Sequence, residues 1–247
     1  MKNYDIKGFI IKKNFFTEKE ISNFEKNIVF FIAEYCEKKS TTISKKAKRI
    51  LNYSKNKFKV SAIKLLEEIE KKNKKLFYEI STECSKIYSI NNLDQNIKTK
   101  SFLKKFFGKN YLSIYRKNPI MLFNKKNLTR LKYSWHQESK FYPQYNTGLH
   151  LWFPIFRNVN SHNDGGMVFA LNGYKKSYDF TEIKNKNSWR QKVPNVNVEK
   201  KFQLISPKVN RRDVIFFIGP QLHKSDNQEN SLPRVSFVIR YLSNTKN

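Results

Sequence analysis

The residues best suited to chemistry in this sequence are two histidines and a glutamate. His136-Gln137-Glu138 ends a predicted strand, and side chains alternate between the faces of a strand, so His136 and Glu138 should point the same way. His223 follows 85 residues after Glu138, beyond another predicted strand and the turn Gly219-Pro220. Two imidazoles and one carboxylate are the facial ligand set of non-haem iron, which leaves coordination positions open. The same set also binds zinc.

An arginine and a serine at the start of the last predicted strand form a second polar group. Arg234 comes eleven residues after His223, and Ser236 lies two positions further, on the same face of the strand. A planar guanidinium fork can hold a carboxylate through two hydrogen bonds, and a hydroxyl can add another. The spacing therefore predicts a position for a carboxylate inside the strand-built part of the chain.

The first 110 residues have the spacing of helices that could support such a site. Thr17 and Glu20 form a capping box, and apolar residues at helical intervals predict a helix from about residue 18 to about residue 38. The stretch 39–57, rich in Lys, Ser and Thr, is interpreted as a loop or a frayed helix end. A second helix is predicted from Phe58 to Ile87, and a short third one over Ser101–Phe107.

From about residue 111 the pattern is that of short strands separated by turns such as Asn172-Gly173. Helices followed by many strands predict an α+β fold, in which an antiparallel barrel or sandwich carries the site and the helices cover one face. The polar region 175–201 is expected to be a long insertion loop, where a lid would lie. The eight predicted strands are Tyr111–Tyr115, Ile120–Phe123, Tyr133–Glu138, Gly148–Ile155, Met167–Leu171, Phe202–Ile205, Val214–Ile218 and Val235–Leu242.

The composition favours a single domain over residues 1–247 and narrows the choice of partner. The 247 residues include 21 Phe and 13 Tyr, which is enough for a core, and no apolar run is long enough to span a membrane. The net charge of +29 is spread evenly, with +14 over residues 1–110 and +15 over residues 111–247, and Lys outnumbers Arg by 40 to 9. Nucleic-acid recognition favours clustered arginine, so nucleic acid is not the expected partner. A small anionic substrate is compatible with a positive field.

The N-terminus and the cysteines bear on location. Residues 1–16 lack the long apolar segment of a signal peptide. Cys36 and Cys84 are far apart in sequence and lie within predicted helices, which suits a reducing cytoplasm better than a disulfide framework. A cytoplasmic protein is therefore expected, and its oligomeric state is not indicated.

Several segments together resemble the phytanoyl-CoA dioxygenase (PhyH-like) family of Fe(II)- and 2-oxoglutarate-dependent oxygenases. The likeness covers roughly residues 111–242, and Gly8–Phe16 is similar to the family's entry into its first helix. The matching segments are Tyr133–Glu138 for W-H-Q-D, Leu151–Ile155 for W-x-P-L, Asp164–Gly173 for N-G-x-L-x-x-x-P-G-S, His223-Lys224-Ser225 for H-x-S, and Pro233–Ser236 for the arginine segment that anchors 2-oxoglutarate.

The resemblance implies a double-stranded β-helix (jelly-roll, cupin-like) core and an enzyme that uses Fe(II), O2 and 2-oxoglutarate. Such an enzyme would hydroxylate a small organic substrate and release succinate and CO2. His136, Glu138 and His223 would hold the iron, and Arg234 would hold the distal carboxylate of 2-oxoglutarate. Glu138 departs from the family, which usually has an aspartate there, one methylene shorter. Further candidates for the cofactor pocket are Trp152, Ser225 and Ser236.

Other polar residues near these segments are candidates for substrate contact, namely Gln137, His150, Asn118, Asn124 and, in a turn-rich loop, His162. Arg240, six residues after Arg234, is interpreted as structural. Two alternatives remain. A zinc-dependent hydrolase could use the same ligands, but it has no use for a carboxylate clamp beside the metal. A non-catalytic basic binding protein with a vestigial site is disfavoured by the intact ligands, and the sequence does not identify the substrate.

Overall fold

The computed structural model describes residues 8–91, 96–108, 114–126, 133–141, 143–160, 162–183 and 190–243. In these ranges helices dominate the first half and strands the second. The helices are α1 (Glu18–Tyr35), α2 (Thr41–Leu51), α3 (Lys55–Lys72), α4 (Lys74–Asn91), α5 (Ile97–Phe107) and α6 (Val198–Lys201). The strands are β1 (Phe9–Lys12), β2 (Ile114–Asn124), β3 (Leu149–Ile155), β4 (Met167–Ala170), β5 (Phe180–Ile183), β6 (Gln191–Pro194), β7 (Leu204–Ile205), β8 (Val214–Ile218), β9 (His223–Ser225) and β10 (Arg234–Ser243).

The helical half follows the predicted pattern in part. The capping box is present, since the Thr17 hydroxyl accepts from the Glu20 amide (3.2 Å) and Glu20 accepts from the Thr17 amide (2.7 Å). The interpretation of residues 39–57 as a loop is wrong, because α2 buries apolar residues at helical spacing there. The predicted second helix is two helices. It divides at Asn73, whose side chain accepts from the Leu76 amide and so begins α4.

The strands form two larger antiparallel sheets. The major sheet has the order β1-β8-β3-β10-β2, and the minor sheet has the order β7-β4-β9. The two strands predicted over 111–123 are one strand as far as the described residues show, with 111–113 outside them. Pro119 is accommodated because β2 is an edge strand, with β10 as its one neighbouring strand among the described residues, and shifts register there, which is how edge strands accept proline.

Side-chain alternation gives the major sheet two different faces. Outward residues of β3 such as Leu151 and Phe153 pack on the helices in a large apolar core. Inward residues such as Trp152 and Phe217 pack against Phe169 of the minor sheet. The structure is therefore a two-sheet sandwich with helices on its outer face, which confirms the predicted α+β class and the placing of the helices.

Three other segments differ from the prediction. Tyr133–Glu138 is not a regular strand, since only His136 pairs, through one bridge to His223, and a 3-10 turn follows at Glu138–Lys140. The region 175–201 contains the β5–β6 hairpin and α6, with residues 184–189 outside the described ranges. β9, which is not among the eight predicted strands, forms one edge of the minor sheet by pairing with β4.

Cys36 and Cys84 are buried free thiols. Of the helices that the structure describes, none combines the length and the apolar character needed to cross a bilayer.

Helices and sheet are also joined by a buried carboxylate. Glu25 of α1 is 1% exposed, accepts from the Phe156 amide (2.6 Å) and pairs with Arg211 (3.2 Å). Glu25→Ala would leave the buried Phe156 amide without its acceptor and would remove one of the two carboxylates paired with Arg211, which keeps Glu18, so we expect it to lower the free energy of unfolding by about 1–3 kcal/mol. Urea unfolding measures this. Glu37→Ala, which removes an exposed partner of Lys48, is the control and should leave the unfolding midpoint in place; equal midpoints for both variants would contradict the expectation.

Candidate metal site and its surroundings

The three predicted ligands come together on the inner side of the sandwich. One side-chain ligand atom each from His136, Glu138 and His223 lies within 4.8 Å of the others, and all three residues are buried. The two histidines are direct partners across an antiparallel bridge, in which each amide donates to the other's carbonyl (3.0 and 3.1 Å). Glu138 Oε1 lies 4.0 Å from His136 Nε2. The backbone therefore fixes both imidazoles side by side.

Each imidazole is oriented by a carbonyl two residues before it. His136 Nδ1 lies 2.7 Å from the Ser134 carbonyl, and His223 Nδ1 lies 2.8 Å from the Gln221 carbonyl. Because a carbonyl can only accept, each Nδ1 carries the proton and each Nε2 keeps a free lone pair. Burial lowers the pKa of both histidines, that of His223 well below 6.5, so both rings are neutral at pH 7. This is the protonation state that a metal ligand needs.

Glu138 is held by Arg240, which the sequence pattern led us to interpret as structural. Arg240 donates to both carboxylate oxygens, from Nη2 to Oε1 at 2.9 Å and from Nε to Oε2 at 3.2 Å. Burial would raise the pKa of Glu138, but the attraction of Arg240, together with smaller contributions from His150, His136 and His223, outweighs burial, and the net pKa lies well below the ordinary range. Arg240 therefore adjoins the candidate ligands and fixes the orientation of the Glu138 carboxylate.

Arg234, Ser236 and Trp152 also come together, at the other end of the inner face of β10. Arg234 is 1% exposed and donates to the Gly165 carbonyl and to the Ser236 hydroxyl, both at 2.5 Å. Its guanidinium carbon lies 5.8 Å from the centre of the Trp152 ring. Gly165 has a φ of 71° and leaves no room for a side chain, because a Cβ there would lie 2.3 Å from Gln228 Oε1.

Arg234 is a buried cation without a carboxylate in ion-pair contact among the described residues. Asp164 acts on it only from beyond that distance and is itself paired with Arg157 (2.8 Å). Burial lowers the pKa of Arg234 to about 9, and repulsion from Arg157 adds to this. The Trp152 indole N–H is likewise buried without a hydrogen-bond partner. A buried charge is costly unless it is compensated, so this end of the site is suited to an anionic ligand.

Two adjoining cavities meet at His136 and Glu138. A recess of about 30 Å³ is lined by the ligands together with Trp152, Ser225 and apolar side chains. A cavity of about 860 Å³ lies between α4 and the edge strand β2 and shares His136, Glu138 and Arg240 with the recess. The smaller space has the size of one water molecule, whereas the larger one is typical of sites for small organic ligands.

The remaining predicted site residues lie in different surroundings. Gln137 donates to the carbonyls of Lys176 (2.8 Å) and Pro220 (2.6 Å), and it accepts from the Tyr178 amide, so it ties loops together. Asn124 donates to the Asp226 carbonyl. His150 is fully buried, stacks on Phe217 and has neither ring nitrogen hydrogen-bonded. None of these three lines either cavity.

The last three candidates are Ser225, His162 and Asn118. Ser225 lines the recess, and its hydroxyl accepts from the Tyr133 amide (3.3 Å). His162 is exposed, with a φ of 57°. The Asn118 side chain lies outside the described part of the structure. Substrate contact by Gln137, His150, Asn118, Asn124 or His162 stays a prediction.

Solved structures of proteins that contain iron or 2-oxoglutarate share this architecture. EctD from S. alaskensis with bound Fe matches with a TM-score of 0.61 and 12% identity, over 98% of this chain and 75% of that chain. EctD with 2-oxoglutarate and 5-hydroxyectoine gives 0.59 and 12%, over 98% and 74%. The chain has their fold. A non-haem alpha-ketoglutarate-dependent epimerase, SnoN from nogalamycin biosynthesis, gives 0.56 and 10%, over 99% and 82%.

These likenesses confirm the double-stranded β-helix predicted from the sequence. At 10–12% identity they establish the fold and leave the activity to be argued from the site. No family model matches the sequence, and no curated protein matches it significantly in sequence. Membership of the phytanoyl-CoA dioxygenase family stays a prediction.

Proposed function

We propose that this protein is an Fe(II)- and 2-oxoglutarate-dependent dioxygenase that hydroxylates a small organic substrate and forms succinate and CO2. The observation that carries the proposal is a pairing of two sites. A neutral-histidine, carboxylate, neutral-histidine cluster lies near a buried arginine that has no carboxylate in contact with it among the described residues. A metal alone would account for the first site, and an anionic cosubstrate would account for the second.

His136, Glu138 and His223 would hold the iron. Their donor set of two nitrogens and one oxygen suits non-haem iron and leaves open positions. Glu138 can serve the iron and Arg240 together, because a carboxylate has two oxygens that accept independently. The ligand atoms, which lie within 4.8 Å of one another, would need to move closer by up to about 1–2 Å, since donors that share one metal ion lie roughly 3–4 Å apart.

Arg234, Ser236 and Trp152 would hold the distal carboxylate of 2-oxoglutarate. Arg234 Nη2 has no hydrogen-bond partner among the described residues, and the Trp152 N–H is unpartnered, so both donors are available. The recess beside the metal ligands reaches Trp152 but is not lined by Arg234 or Ser236, and it is smaller than 2-oxoglutarate. Binding would therefore require Met167 or Leu122, which line it, to move aside.

Bound iron with 2-oxoglutarate supplies the activation of dioxygen and the oxidation of a C–H bond. The contribution of the chain is to position these groups and to exclude water. Leu122, Met167, Phe217 and Val238 line the recess with apolar surface, which keeps bulk water from the reacting atoms. The phytanoyl-CoA dioxygenase segments support membership of that family. We also propose one domain over residues 1–247, because helices and sheet share a core.

The test combines metal binding with turnover of 2-oxoglutarate in the absence of substrate. We expect the wild type, reconstituted anaerobically, to bind one Fe(II) per chain and to form succinate slowly when oxygen is admitted. Glu138→Asp keeps an anionic ligand and should retain turnover. Glu138→Ala should lower it by at least about 100-fold, because even outer partners of metal ligands typically contribute 10- to 100-fold.

Glu182→Ala, which alters an exposed carboxylate on β5, is the control and should match the wild type. Tight zinc retention without any response to iron would support a zinc hydrolase instead. Binding of neither metal would support a non-catalytic protein. Succinate at the wild-type rate from Glu138→Ala would remove Glu138 from the ligand set.

A further inference from the structure

The larger cavity has an uneven distribution of charge. Its charged lining residues, within the part of the chain that the structure describes, are Lys86, Arg190 and Arg240 on the positive side and Glu138 alone on the negative side. Arg240 is the deepest of the three cations. Its side chain is 13% exposed and adjoins the metal ligands, whereas that of Arg190 is 72% exposed. A ligand in this cavity therefore meets Arg240 beside the reacting position.

Arg240 has hydrogen-bonding capacity left after its contact with Glu138. Its Nε and Nη2 donate to the carboxylate, but Nη1 has no hydrogen-bond partner among the described residues. The Tyr145 ring lies 5.9 Å from the guanidinium carbon and covers one side of it. The unused donors are thus available to a group in the cavity.

The charges of a filled site leave Arg240 without a full counter-charge. Metal-bound imidazoles are neutral, and Glu138 would share its negative charge between iron and Arg240. One carboxylate of 2-oxoglutarate would offset part of the charge of the iron, and the other would offset the charge of Arg234. One positive charge is left over, and of the two buried arginines, Arg234 and Arg240, it is Arg240 that lines the larger cavity. A buried excess charge is costly, and an anion on the substrate would offset it.

We propose that the substrate is a carboxylic acid with an aromatic or aliphatic body, and that Arg240 binds its carboxylate. This inference rests on the proposed function, since it assigns the substrate class of the same site. A planar guanidinium matches the geometry of a carboxylate, and Nη1 of Arg240 is the nitrogen that remains to donate to it. The side chains of Tyr133, Phe141, Tyr145 and Met121 line the same cavity and would contact the body of the substrate.

The experiment compares matched acid and amide probes by calorimetry, without oxygen and with Fe(II) and 2-oxoglutarate bound. The probes are 3-phenylpropanoate, the neutral 3-phenylpropanamide and phenyl phosphate. We expect the wild type to bind the carboxylate at least about tenfold more tightly than the amide, the effect of one charge-assisted contact. Arg240→Gln should remove most of that ratio, and Arg190→Gln, with its exposed side chain, should keep it.

Arg240→Lys keeps the charge without the fork and should give an intermediate ratio, which tests the proposal if the Gln variant does not fold. A wild type that binds iron and 2-oxoglutarate but shows no preference for the acid, or binds neither probe, overturns the inference and leaves the proposed function standing. A preference that persists in Arg240→Gln, or tighter binding of phenyl phosphate, also overturns it. Failure of the wild type to bind iron is a failure of the proposed function itself.

Discussion

His223→Ala and His136→Ala are each expected to abolish tight Fe(II) binding. Either change leaves two protein ligands where three lie within 4.8 Å of one another. The loss should exceed about 100-fold in affinity, since removing even a residue that only supports a ligand typically costs 10- to 100-fold. The iron retained after anaerobic reconstitution and desalting measures it. Because each Nδ1–H donates to a carbonyl, alanine also leaves that carbonyl without its donor.

His162→Ala is the matched control for these variants. His162 is an exposed histidine that lies outside both cavities, so its removal should leave one iron per chain. Full retention of iron by His223→Ala would show that the cluster is not the metal site. Loss of iron in all three variants would indicate unfolding, which circular dichroism of each variant separates from loss of a ligand.

The grouping of His136, Glu138 and His223 could be predicted from the sequence even though the predicted strand around His136 and Glu138 is wrong. His136 and Glu138 were placed on one face by strand alternation. That alternation survives because Gln137 has extended backbone angles, with φ of −115° and ψ of 126°. The bridge from His136 to His223 then brings in the third ligand. Local extended geometry was sufficient, and a full ladder of hydrogen bonds was not needed.

Arg240 was interpreted as structural, and its contact with the Glu138 carboxylate was missed because the face of the strand on which it lies was given too little weight. Arg234, Ser236, Val238 and Arg240 alternate with core residues, so all four point inward. The sequence contains this information. What it lacks is the path of the loop that carries Glu138, which crosses the inner face at the far end of β10 and meets Arg240 there.

Other misses in the fold have a similar cause. The stretch 39–57 is rich in Lys, Ser and Thr, but Ile43, Ala47 and Ile50 lie at helical spacing and become buried against the neighbouring helices. The composition of this stretch suggested a loop, but the burial of its apolar face against neighbouring helices stabilises a helix. The β5–β6 hairpin was missed because Phe180–Ile183 has no strong alternation and is largely exposed.

Arg234→Lys, at the start of β10, should weaken the binding of 2-oxoglutarate and leave the binding of Fe(II) nearly unchanged. Arg234 reaches Gly165 and Ser236 with Nε and Nη1, which fixes the guanidinium plane and leaves Nη2 for a ligand. A lysine offers one point charge and cannot make these contacts at once. The variant would therefore keep a cation but lose its fixed direction.

The loss of one charge-assisted hydrogen bond is worth roughly 1.5–3 kcal/mol, so the affinity for 2-oxoglutarate should fall by about tenfold to a hundredfold. Anaerobic calorimetry with iron bound measures it, and Arg49→Lys on the exposed face of α2 is the control. Arg240 provides the sharper comparison, because it is bound to Glu138 and not to the recess end that contains Trp152. If Arg240→Lys weakened 2-oxoglutarate and Arg234→Lys did not, the cosubstrate would have to bind from the side of the larger cavity, and the carboxylate assigned to Arg240 would be that of 2-oxoglutarate.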